Sequence, residues 1–226
     1  MKWIFQFLTS SIGQKLIMSL TVLFLIMFLT VHLIGNLALL KSDGGVGFNQ
    51  YSEFMGHNPL VQLISKGNFF FIALHAIQGI LLYFRNKGAK GSKYAGKAKN
   101  KITWASKNMA LLGTLVLAFL LMHLGHFFVR FKFFSELPMV SYDGVEIINY
   151  YQTVTAVFSN PIWVFCYLLG LLALAFHLSH GFSSAFQTLG LNHKKYTPII
   201  KALGKGYSIL IPIGFAIIPL YIYFIK

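Results

Sequence analysis

Acidic residues are almost missing from this sequence. Five Asp and Glu stand against 19 Lys and Arg in 226 residues, and all charged residues together make up 11% of the chain. A soluble domain carries about a quarter charged residues, so that class is excluded. Cysteine occurs once, as Cys166, inside an apolar stretch. One thiol excludes an internal disulfide framework, a CxxCH haem-attachment site and a four-cysteine iron–sulfur site. Neither GxGxxG nor GxxxxGK[ST] occurs, so there is no phosphate-binding glycine loop of those kinds. A cleavable signal is not expected, because the first apolar run continues to Leu40 with no small-residue cleavage site.

What fills the space is apolar. The chain is 56% hydrophobic and contains 23 Phe. Runs of about 20 apolar residues cross a bilayer as helices, and five are expected: I at 16–40, II at 66–84, III at 107–130, IV at 161–187 and V at 206–225. The expected fold is all-α and polytopic, one integral membrane domain over 1–226, with no soluble domain left over. The connections collect the turn residues. KSDGGVGFNQ (41–50) breaks helix I, and FSELPMVSYDGVE (134–146) holds Pro138 and an Asp-Gly turn. NHKKYTP (192–198) ends before Pro198, and Asn160-Pro161 opens helix IV with proline in its first turn.

A net charge of +14 raises the question of nucleic acid. Its distribution answers no. All but five of the basic residues lie in the N-terminus, the 85–107 loop and the 192–205 loop: Lys2, Lys15, Arg85, Lys87, Lys90, Lys93, Lys97, Lys99, Lys101, Lys107, Lys194, Lys195, Lys201 and Lys205. The five acids, Asp43, Glu53, Glu136, Asp143 and Glu146, all fall in the opposite connections. By the positive-inside rule the N-terminus is cytoplasmic and the C-terminus outside. The lysines serve topology and anionic lipid, and can in addition dock a cytoplasmic partner.

Six of the eight histidines fall inside the runs: His32 in I, His75 in II, His123 and His126 in III, His177 and His180 in IV. His57 and His193 fall in connections. An ionisable residue in a span marks function by default. A lone histidine is more often a satisfied structural residue, but one or more on each of four helices is hard to read that way. No carboxylate lies inside any span, which weighs against an Asp/Glu proton relay and against a carboxylate-bridged di-iron bundle. Neutral imidazoles on four facing helices suit bis-histidine haem iron; zinc has less need of a large apolar pocket.

Depth gives a test at about 1.5 Å rise per residue. His32 lies 17 residues past Lys15 and His123 lies 16 past Lys107, so both sit roughly 25 Å from the inner boundary and can share an outer haem. His75 lies 10 residues before Arg85, roughly 15 Å from that boundary, and needs a partner from helix IV. If that helix ends near Gly190, depth slightly prefers His180 over His177, and tilt leaves both open. Gly35, Gly79, Gly125 and Gly181 accompany the histidines. Small residues let a porphyrin face, or simply another helix, come close.

With these features the chain resembles the single-chain, five-helix, di-haem cytochrome b subunit of bacterial succinate:quinone oxidoreductases, the succinate dehydrogenases and fumarate reductases. The resemblance covers nearly the whole chain. It rests on the four histidine-bearing helices in order, on Gly113 ten residues before His123 in GTLVLAFLLMH, and on HLSHGFSSAFQTLG (177–190), with a histidine thirteen residues before Gly190. HLIGN (32–36) and LHAIQGILLYF (74–84) fit helices I and II.

The resemblance implies a four-helix haem-binding bundle of helices I–IV plus helix V, in the bacterial cytoplasmic membrane. It implies two haem b groups, the outer held by His32 and His123 and the inner by His75 and His177, choosing His177 against the depth preference. His126 and His180, each one turn along from a ligand, would hydrogen-bond a haem propionate or a quinone, or else a backbone carbonyl. Arg85, Lys107, Arg130 and Asn36 are further propionate or quinone candidates. Glu53 is a candidate proton-exchanging group at an outer quinone site.

The chain has no flavin site, so the succinate or fumarate chemistry would belong to a flavoprotein. An iron–sulfur subunit would dock on the cytoplasmic face, electrons would reach quinone (menaquinone by the same resemblance), and the complex can oligomerise. Two other readings stay in view. One is a cytochrome b serving a hydrogenase or formate dehydrogenase. The other is a haem-free, histidine-lined transporter or channel.

Overall fold

The computed structural model describes residues 2–89 and 103–226. Lys90, Lys93, Lys97, Lys99 and Lys101 of the basic loop lie outside the described residues. Five helices are long and apolar enough to cross a membrane. Helix I is Ser11–Asn36, extended by a 3-10 turn Leu37–Leu40, and helix II is Pro59–Ala89. Helix III runs Met109–Leu124, passes through a π-helical turn at Gly125–Val129 and ends with Arg130–Phe133. Helix IV is Pro161–Thr188 and helix V is Thr197–Ile225. A short helix, Lys2–Thr9, precedes helix I.

Helices I, II and V start before the apolar runs do, helix IV starts at 161 as expected and helix III at 109, two residues after the expected 107; side-chain caps set the starts of I, II and IV. Ser10 Oγ accepts from Gly13 N at 3.0 Å and starts helix I. Asn58 Oδ1 accepts from Leu60 N and Val61 N, with Pro59 in the first turn, so helix II begins seven residues before 66. Lys66, whose charge looks like a boundary in sequence, lies within helix II with its side chain exposed. Asn160 repeats the device, accepting from Ile162 N at 2.9 Å ahead of Pro161. Side-chain oxygens at these positions satisfy amides that have no intrahelical partner.

Helices I, II, III and IV pack as a closed ring, each against the next and IV back against I. The diagonals I–III and II–IV keep their backbones apart. Helix V lies outside the ring along IV and I. Self-burial is unequal: 39% and 33% of the most apolar windows of IV and V are buried, against 11%, 11% and 6% for I, II and III. Close approach within this framework relies on small residues. A Cβ at Gly170 would run into the Phe119 ring, and one at Gly214 into Leu33.

At the acid-bearing end the two connections fold over the ring as a cap. It contains the helices Val46–His57 and Tyr150–Phe158 and one antiparallel hairpin, β1 (Met139–Tyr142) with β2 (Val145–Ile148), in which Tyr142 pairs with Val145. The hairpin is the one departure from an all-α fold among the described residues. Its turn is the Asp-Gly pair: Asp143 and Gly144 both have positive φ, as a two-residue hairpin requires. Leu39, Phe48, Val154 and Phe158 form the cap's core on Val164, Tyr167, Ile218 and Ile222 of helices IV and V.

Asn49 is fully buried between cap elements. Its Nδ2 donates to Tyr142 Oη and Asn149 Oδ1, and its Oδ1 accepts from Tyr151 N at 2.8 Å. Asp43 turns the chain into the cap by accepting from Gly45 N and Gly47 N. Those amides, Gly47 first, hold its carboxyl below the usual range.

Candidate functional site

The ring brings the span histidines together across its diagonals. The imidazoles of His32 (I) and His123 (III) have centroids 5.9 Å apart. Those of His75 (II) and His177 (IV) are 6.1 Å apart. Neighbouring contacts fix the levels. Tyr167 packs against His123, ten residues before His177 on helix IV, and Thr21 bonds His75, eleven residues before His32 on helix I. At the helical rise both counts put the two pairs about 15 Å apart along the bundle. His180, which depth slightly preferred, has no ring contact with His75; His177 does. Gly113 stands behind that pair, its Cβ position 3.7 Å from His177 Cε1.

Each pair has its own surroundings. The His32–His123 site is aromatic, with Phe28 and Phe215 on His32 and Phe119, Phe127 and Tyr167 around His123. At the His75–His177 site, Thr21 Oγ lies 3.2 Å from His75 Nδ1. Among the described residues, four buried polar atoms in the spans have no hydrogen-bond partner: His123 Nδ1, His177 Nδ1, Asn68 Oδ1 and Gln78 Oε1. Asn68 and Gln78 flank His75 on helix II. Unbonded polar groups in an apolar interior are costly, and two of these four are ring nitrogens of the facing histidine pairs.

The donor set fits haem iron. Among the described residues no three or more His, Cys, Asp and Glu converge as a metal site; the imidazoles come in twos. A structural zinc site takes four protein ligands. Two opposed imidazoles suit a metal whose other four donors come from a macrocycle.

The other expected residues divide. His126 Nδ1 lies 3.2 Å from the Tyr167 hydroxyl, and its ring meets Trp163. The π-helical turn that begins two residues after His123 carries His126; such turns recur at functional sites. His180 is half-buried and has no hydrogen bond among the described residues. Asn36 Nδ2 donates to the His32 carbonyl at 2.8 Å. Arg85 donates to Gln14 Oε1 and Thr9 O, tying helix II to the start of helix I. Lys107, two residues before helix III, and Arg130, near its far end, are both exposed.

Glu53 is in the cap. It meets His57 Nδ1 at 3.1 Å, accepts from the Tyr150 hydroxyl at 3.3 Å, and lines a cleft of about 290 Å3 with Gln50, Tyr142, Asp143, Val145 and Ile147. Burial, then the Glu53 charge and hydrogen bond, push the Tyr150 phenol up to about 12.

Thr21, Tyr167, Asn68 and Gln78 escape sequence reading. Asn68 and Gln78 are polar side chains two turns and one turn from His75 on its own helix, and that spacing is the signal that could have found them. Thr21 and Tyr167 lie about three turns from the histidines of their own helices and meet histidines across the bundle.

These features define a polytopic, mostly α-helical protein with five candidate membrane-spanning helices. No protein family, curated protein or solved structure matches the chain.

Proposed function

We propose that this chain is the haem b-containing membrane anchor of a succinate:quinone oxidoreductase, passing electrons between a cytoplasmic iron–sulfur subunit and membrane quinone. The observation that carries the reading is the pair of cross-diagonal imidazole contacts, 5.9 and 6.1 Å between centroids and about 15 Å apart in depth. Haem b supplies reversible one-electron chemistry at such sites.

The chain's own residues do the rest. His32 with His123, and His75 with His177, would hold the two haem irons. Phe119, Phe127 and Tyr167 keep the outer one dry. The lysine-rich end is the cytoplasmic one and receives the iron–sulfur subunit, with the flavoprotein beyond it. At the acid-bearing end the Glu53 carboxylate, with Tyr150 and His57 beside it, takes or gives the protons of quinone chemistry. Menaquinone is the expected substrate, and succinate itself never meets this chain.

The test is the purified chain's optical spectrum with a haem count, followed by reconstitution with the soluble subunits. Two haem b per chain and succinate-dependent quinone reduction are expected. Two haems with electron input from a hydrogenase or formate dehydrogenase instead would reassign the partner. No Soret band would end the cytochrome reading in favour of a transporter.

A further inference from the structure

We propose that Thr21 is a positioning residue that fixes the tautomer of His75 and thereby sets the potential of the inner haem alone. This rests on the haem reading above. Thr21 sits mid-helix I and is 1% exposed. Its Oγ lies 2.8 Å from the Met18 carbonyl and 3.2 Å from His75 Nδ1.

The proton inventory decides the roles. A hydroxyl has one hydrogen and a carbonyl has none. Two oxygens at 2.8 Å need a hydrogen between them, so the Thr21 proton goes to Met18 O. Toward His75 the hydroxyl oxygen is therefore an acceptor, and the hydrogen of that bond belongs to Nδ1. A neutral imidazole carrying its hydrogen on Nδ1 has a bare lone pair on Nε2, the form that ligates a metal. Thr21 thus selects the ligating tautomer and holds the ring's orientation on helix II.

Among the described residues the other three paired histidines lack this support. His123 Nδ1 and His177 Nδ1 have no partner. Near His32 Nδ1 stands only the Asn36 amide, at 3.4 Å, whose short bond goes to the His32 carbonyl instead. The hydrogen bond is specific to one ligand of one site. A ligand imidazole that donates from Nδ1 is more basic, favours the oxidised metal and lowers its potential.

The experiment is a redox titration of the purified full chain, followed optically and by low-spin haem resonance, for wild type, Thr21→Val, Thr21→Ser and Thr30→Val. Thr30 is a hydroxyl on the same helix that bonds Ile26 O and the Tyr207 hydroxyl. Thr21→Val is expected to raise one midpoint potential and alter one resonance signal, leaving the other haem unmoved; Thr21→Ser restores both. Loss of one haem in Thr21→Val, with the second intact and Thr21→Ser normal, also supports the assignment. Unchanged potentials in Thr21→Val, or equal shifts in Thr21→Val and Thr30→Val, overturn it. A wild type without haem would instead sink the cytochrome reading, a separate failure visible before any variant is made.

Discussion

His177, not His180, faces His75 across the bundle, with ring centroids 6.1 Å apart. The two helix IV histidines are one turn apart and both half-buried, yet only one reaches the diagonal. Replacing them singly therefore has unequal effects. His177→Ala is expected to lose one of two haems, and His180→Ala to keep both, by pyridine haemochrome count on purified protein. His75→Ala combined with His177→Ala should lose no more haem than either alone, since both serve one site.

Gly170 is where helix IV lets helix III approach. A Cβ there would collide with the Phe119 ring and crowd its Cβ, so the clash is not confined to a free side-chain end. Phe119 in turn packs on His123. Gly170→Ala is expected to destabilise the chain by about 1–3 kcal/mol, as overpacking does, and to weaken the outer haem more than the inner. Thermal release of each haem, followed by its own absorption, measures this.

The cap hangs on Asn49. Replacing it with Ala removes three hydrogen bonds and leaves the Tyr151 amide without its acceptor. Stranded buried groups cost about 1–3 kcal/mol each, so a loss of about 3 kcal/mol is expected. Limited proteolysis should then cut the 134–160 connection first, before any of the spans, because the cap opens while the bundle stays in lipid.

Tyr150 gives the cap a pH limit. Its phenol is raised to about 12 by burial and by the Glu53 carboxylate, whereas an exposed phenol titrates near 10. The folded state thus holds this proton more tightly than the unfolded state. Its contribution to stability is complete below about pH 10 and is lost as pH rises toward 12. Alkaline titration of tyrosinate absorbance, taken as wild type minus Tyr150→Phe, should show one late phenol. Glu53→Gln removes the negative charge and should move that phenol back toward 10.

Much of this architecture was readable from the chain. The five apolar helices were legible because lipid demands uninterrupted stretches, and Asp143-Gly144 announced its turn. Helix starts were less so. Asn58-Pro59 has the same chemistry as Asn160-Pro161, but Lys66 resembled a boundary when it is a long side chain that can be carried outside an apolar helix. The histidine helices stood out, and depth counting put His32 level with His123. Depth left His177 and His180 open, because one turn of rise is smaller than the uncertainty in a helix end. Thr21 and Tyr167 were invisible for a different reason. Their roles depend on which residue of another helix stands opposite, and that register is a property of packing. The cap was hidden likewise, since its two halves are about 100 residues apart in sequence and meet through Asn49.

The diagonal pairing also sets an order of events during synthesis. A chain made from its N-terminus presents helix I, II and III before helix IV exists. His32 meets its partner as soon as His123 has been made, whereas His75 waits for His177, 54 residues later. At roughly 5–20 residues per second, the outer site has both its imidazoles about 3 to 10 seconds before the inner one does. During that interval the growing chain carries one complete histidine pair on three helices, so on the proposed haem reading a shortage of haem would strike the two sites at different moments of synthesis.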